Sequence, residues 1–221
     1  MQQNICNLSV HLSLFQFNLQ IMNMKPILLL LALVVTFTVR AQGLIPDAEV
    51  QIKAAVLAAP EATREGAKVY GYNRKGEWAV LREGTNHMIC LADDPNNPGF
   101  SVSCYPEELE PFMERGRVLR KEGKSFKEIF DQREEEVKSG KLKMPVDGTT
   151  LFVFYTNDEA AFNPQTGEVT GGNFRYVVYI PYATAESTGL PLSPEVPGMP
   201  WIMDPGTHRA HIMITPPADK K

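Results

Sequence analysis

Leu151-Phe152-Val153-Phe154-Tyr155 and Phe174-Arg175-Tyr176-Val177-Val178-Tyr179-Ile180 are the two stretches that decide the fold. The first is a continuous apolar and aromatic run. The second alternates Phe174, Tyr176, Val178 and Ile180 against Arg175, Val177 and Tyr179. β-Branched and aromatic residues in such runs fit a pleated surface with neighbours on both sides, so both read as central strands. Between them, Asn163-Pro164-Gln165-Thr166-Gly167 and Gly171-Gly172 supply turn chemistry. Upstream, Lys68 to Tyr72 and Glu77 to Arg82 flank Asn73-Arg74-Lys75-Gly76 with hairpin spacing. Short strands near Met88–Leu91 and Ser101–Tyr105 hold Cys90 and Cys104 opposite each other. Downstream, six prolines between Pro181 and Pro205 read as a long irregular connection, and Ala210 to Thr215 as a last strand.

Helices fill the remaining segments. Ala48 to Ala59 has high helix propensity, with Asp47 as N-cap and Pro60 as stop. Pro106 with Glu107, Glu108 and Glu110 favours a helix start, because negative charge stabilises the free amides there. Leu109, Phe112, Met113, Gly116 and Leu119 then give a buried stripe. Ser125 and Glu128 form a capping box for a helix that carries Phe126, Ile129, Phe130, Arg133 and Val137 on one face. Its run Glu134–Glu136 reads as the solvated side. The expected fold is a single α+β domain over residues 42–221, with an antiparallel or mixed sheet packed by two or three helices and one disulfide.

Composition sets the class. The 221-residue chain is 43% hydrophobic and 22% charged with a formal net charge of −4, which excludes disorder and a multi-pass membrane protein. The acidic balance also gives no footprint for nucleic acid or anionic lipid. Met24 and Lys25 precede an apolar run from Ile27 to Val35, and Val39 and Ala41 are suited to cleavage after Ala41. Residues 1–41 therefore read as an untranslated or cleaved extension plus a signal peptide. Its 14-residue span from Pro26 to Val39 is shorter than a crossing helix needs, so no stable membrane insertion is expected after cleavage. Because Lys25 and Arg40 are the only charged groups removed, cleavage leaves 180 residues with a net charge of −6. The expected location is secreted or periplasmic, where an even pair such as Cys90 and Cys104 oxidises to a disulfide.

Several constellations compete for chemistry. His87 and Cys90 with Cys104 and His208 or His211 have the residue types of a zinc site, but export favours oxidation, and neither a metal nor another cofactor is expected. His208 and His211 share a helix face only in a helix, whereas the following Ile212-Met213-Ile214 favours a strand. Ser187, Asp204 and His211 have the types of a hydrolytic triad without a nucleophile-elbow motif. Gly171-Gly172 lacks any nucleotide-loop frame. Tyr155, Arg175, Trp201 and His211 are the candidate ligand-binding residues, with aromatic walls and Arg175 as an anion partner.

Arg82-Glu83-Gly84-Thr85-Asn86, Cys90, Asp94, Pro98-Gly99 and Cys104, together with Pro200-Trp201-Ile202-Met203, Gly206-Thr207 and Ala210-His211, resemble segments of uncharacterised exported bacterial proteins. The resemblance covers most of the mature chain and implies export with no assigned activity. Glycine is common there in place of His87 and a non-histidine in place of His208, which leaves His211 as the better polar candidate. A non-catalytic binding or envelope-associated domain is the leading expectation for function. A hydrolase using the proline-rich C-terminal loop is the alternative.

Overall fold

The computed structural model describes residues 45–145 and 148–217; the expected signal segment and upstream extension lie outside them. They belong to one compact unit, Gly43–Lys221. Eight strands form a single mixed sheet in the order β2-β1-β3-β4-β5-β6-β8-β7. In chain order these are β1 (Lys68–Tyr72), β2 (Trp78–Arg82), β3 (Met88–Leu91), β4 (Phe100–Pro106), β5 (Thr149–Thr156), β6 (Asn173–Tyr179), β7 (Trp201–Met203) and β8 (His211–Ile214). Only β1 and β3 run parallel; the other neighbours are antiparallel. The helices are α1 (Ala48–Ala55), α2 (Glu110–Lys121), α3 (Phe126–Lys138) and the single turn α4 (Ala185–Thr188). The α+β domain expected from the sequence is therefore present. Among the described residues no helix is long and apolar enough to cross a membrane.

The core has two halves because every strand residue alternates faces. On one face, Ala54, Ala55 and Ala58 from α1 and the turn after it pack against Val69, Cys90, Phe100, Val102 and Cys104. On the other, Leu109, Phe112 and Leu142 cover Ile89, Tyr105, Leu151, Val177 and Tyr179. The second face is the one on which α2 and α3 lie. Cys90 and Cys104 are directly opposite in the β3–β4 register, fully buried and joined as a disulfide. The bridge closes a 15-residue loop, which the chain-entropy relation values at about 3 kcal/mol.

Local chemistry accounts for the element ends. Asn73 Oδ1 accepts from the amides of Lys75 and Glu77, and Gly76 takes φ 78°, which closes the β1–β2 hairpin. Ser125 and Glu128 make the expected capping box on α3. Four expectations need correction. Asp47 sits at the N-cap of α1 without a side-chain cap bond and pairs with Arg74 instead. Pro106 ends β4, and the proline in the first turn of α2 is Pro111. Phe126 is 68% exposed, because it opens the first turn of α3 ahead of the buried stripe, and the Arg209 guanidinium stacks 5.0 Å from its ring. The proline-rich connection holds both α4 and the short strand β7, since β8 offers Trp201–Met203 a partner that no local pattern announces.

Candidate functional site

Register places the candidate residues on the sheet. Tyr155 lies opposite Asn173, and Val153 opposite Arg175; Val177 and Trp201 both face Met213, and Tyr179 and Met203 both face His211. Directly opposed residues share a face, as do residues two apart along one strand. Tyr155, Arg175, Trp201 and His211 therefore all project from the face that carries α2 and α3. The helices cover only one end of it. Val177 and Tyr179 are buried, whereas Tyr155, Arg175, Asn173 and Thr215 are half-buried and Ser101 is exposed.

At this open end Arg175 lies over the Tyr155 ring, 4.6 Å from guanidinium carbon to centroid, and its Nη2 donates to the Tyr155 hydroxyl at 3.1 Å. Arg175 Nε is buried without an acceptor. Arg175 makes no ion pair among the described residues, in contrast to Arg115 with Glu136, Arg117 with Glu110 and Arg209 with Asp204. Beyond Asn173, a cavity of about 510 Å³ lies between the proline-rich loop and the last residues of the described chain. Trp201, Met199, Val196 and Pro217 supply its apolar walls, with Asn173 and Thr215 as polar members.

His211 belongs to a different environment. It is 2% exposed, its Nδ1 donates to the Arg209 carbonyl at 2.7 Å, and its ring lies against Tyr179. Four residues of strand separate the Arg175 level from the Tyr179 level on β6, about 13 Å at the usual rise. Burial lowers the His211 pKa and keeps the ring neutral. The structure thus joins Tyr155 and Arg175 directly, sets Trp201 on the same face beside the cavity, and leaves His211 in the core.

The competing constellations are dispersed. Cys90 and Cys104 are bonded to each other, so neither is a thiolate ligand for zinc. Ser187 Oγ donates to the Thr184 carbonyl and accepts from the Thr184 amide in the capping box of α4. Asp204 pairs with Arg209 at 2.8 Å, and no hydrogen bond joins Ser187, Asp204 and His211 among the described residues.

His208 makes a buried polar contact with Glu134. It is fully buried between the rings of Phe112 and Phe130. Its backbone amide donates to Glu134 Oε2 at 2.8 Å, and its Nδ1 meets the same oxygen at 2.5 Å. Burial outweighs the carboxylate and lowers the His208 pKa. Partial burial pushes Glu134 up, but Lys138 and the two His208 bonds outweigh it and hold the carboxyl at about 2. Glu136 in turn accepts three bonds from Arg115. The run Glu134–Glu136 is therefore not a solvated face, and only Glu135 in it is exposed. These contacts fix the loop before β8 to α3.

A second groove, of about 390 Å³, borders the loop between the cysteines and includes Asp93, Glu159, Asn97 and Phe162. Burial, followed by the neighbouring Asp94 charge, raises the Asp93 carboxyl to about 6 even though it accepts from the Ser101 amide.

Sequence reasoning missed Asn173, Met199 and Thr215 at the cavity. The parity of Asn173 with Arg175 was readable along β6, but the order that brings β8 and β7, with Thr215 and Met199, beside it was not. No family model, no curated protein and no solved structure matches this chain.

Proposed function

We propose that the chain is an exported, non-catalytic binding protein, secreted or periplasmic and akin to uncharacterised exported bacterial proteins, whose ligand sits on the open end of the α2–α3 face. The observation that carries this reading is Arg175, an arginine without an acidic partner, held by Tyr155 next to a cavity walled by Trp201. Ligand sites are concave and mostly apolar with a few placed polar groups, and this region has that composition. The hydrolase alternative lacks an assembled nucleophile, since Ser187 caps a helix turn. The disulfide supports an oxidising compartment.

Two measurements test the proposal. Expression of the full chain in a bacterial host, followed by N-terminal sequencing of the recovered protein, is expected to give Gln42 at or within two residues of the start. Retention in the cytoplasm with residues 24–41 intact defeats the export reading. Dialysis of the mature protein against a small-molecule extract, read by mass spectrometry, is expected to enrich a compound with wild type and not with Trp201→Ala. A compound consumed catalytically instead of retained defeats the non-catalytic reading.

A further inference from the structure

We infer that the ligand of this site is an organic monocarboxylate, its carboxylate on the Arg175 guanidinium and its apolar body running past Asn173 into the Trp201 cavity. The inference rests on the binding role proposed above and specifies the chemistry it serves.

Charge inventory carries the first step. Arginine offers five N–H donors, and among the described residues the only acceptor Arg175 finds is the Tyr155 hydroxyl. An anion completes such a fork better than water does, because a carboxylate presents two oxygens in matching geometry. Arg175 is also the only arginine or lysine in β4, β5, β6, β7 and β8. His211, on the same face, is buried and held neutral. Among the described strands of this end of the sheet Arg175 is therefore the single positive charge, which balances one carboxylate. A phosphate dianion is met elsewhere by several cations or by a helix N-terminus, and the described strands supply no second cation beside Arg175.

Geometry carries the second step. Tyr155 faces Asn173 across the β5–β6 pair, and Asn173 both neighbours Arg175 by two residues and lines the cavity. Asn173 thus links the Arg175 end of the sheet to the cavity that Met199 and Trp201 line. The walls there are apolar, and the single carboxylate lining the cavity belongs to Glu195, which is exposed. Tyr155 is the positioning residue: its ring supports the guanidinium from below, and its hydroxyl fixes the rotation.

The test uses the mature protein with Trp78→Phe, so that Trp201 is the sole tryptophan. Four probes are titrated by fluorescence and calorimetry: 3-phenylpropionate, its uncharged amide, N-acetylglycyl-phenylalanine with a free C-terminus, and the corresponding C-terminal amide. The carboxylates are expected to bind at least tenfold more tightly than their amides, and Arg175→Gln is expected to abolish that difference while the amides bind as before. Preference for 3-phenylpropionate identifies a free acid, and preference for the dipeptide a chain terminus. Tyr155→Phe is expected to weaken the carboxylates alone, with Arg175→Lys restoring only part of what Arg175→Gln loses. Equal binding of acids and amides, or an unchanged acid affinity in Arg175→Gln, overturns the carboxylate assignment and leaves the binding site standing. No Trp201 response to any of the four up to 10-millimolar concentrations, roughly the weakest affinity such small ligands show, overturns both.

Discussion

Replacing Glu134 with alanine strips the acceptor from two donors on His208, the backbone amide at 2.8 Å and the ring Nδ1 at 2.5 Å. His208 is fully buried, so neither donor regains water. Each orphaned buried donor costs about 1–3 kcal/mol, and the exposed Lys138 pair adds only about 0.3–0.5 kcal/mol. Allowing for partial relaxation, the loss is about 3 kcal/mol at pH 7, or about 6–12 °C in Tm for a domain of this size. The pH dependence supplies an independent signature. A carboxyl lowered from 4.5 to about 2 contributes stability that is complete above pH 4.5 and lost as pH falls toward 2. His208, lowered from 6.5 by burial, also costs stability as it takes up a proton below that pH. The Glu134–His208 contact is therefore expected to contribute less at each step of acidification, and Glu134→Ala to lose the part of the acid slope below pH 4.5 that this contact supplies. Thermal unfolding followed by circular dichroism between pH 2 and 8 measures both. A variant within 0.5 kcal/mol of wild type at pH 7 (about the scatter of neutral surface changes), or with a parallel acid slope, refutes the reasoning.

Asp93 has the opposite sign. Its carboxyl is raised from 3.8 to about 6, so ionisation costs stability as pH rises through that interval. Asp93→Asn keeps an oxygen for the Ser101 amide and is expected to be more stable than wild type at pH 7.5, with a crossover below about pH 5; a less stable variant at pH 7.5 rejects this. Alkylation with and without reductant is expected to block no cysteine of the native mature protein until reduction, and Cys90→Ala with Cys104→Ala to cost about 3 kcal/mol; two freely alkylated thiols contradict it. At Gly172, φ is 129° and an added Cβ would lie 2.5 Å from Phe154 Cζ, so Gly172→Ala is expected to lose about 1–3 kcal/mol in a urea titration, and an unchanged midpoint counts against that packing.

The legible parts of the fold are those whose signal is local. β5 and β6 announce themselves because their residues suit a sheet buried on both sides, and Ser125 with Glu128 marks the start of α3 within four residues. What the sequence hid depends on remote partners. Trp201–Met203 is a strand only because β8 lies beside it. Glu134 looks solvated on its own helix, and its burial is decided by His208, which lies 74 residues further along. The same division runs through the candidate site. Alternation on β6 correctly put Arg175 opposite Phe174 and Tyr176, yet the depth of His211 followed from where the helices end on the sheet.

β8 enters the sheet between β6 and β7 although it follows both in the chain. Among the described residues β7 pairs only with β8, and the Ile202 amide is further bonded to the Pro191 carbonyl. In a protein delivered N-terminus first, the seven other strands emerge before His211–Ile214, yet Trp201–Met203 has no strand to pair with until those four residues arrive. The order of delivery thus makes the cavity beside Trp201 the last part of the domain to assemble. A chain stopped before His211 would retain the disulfide-linked centre and both main helices but lose the β7–β8 edge and the cavity beside it.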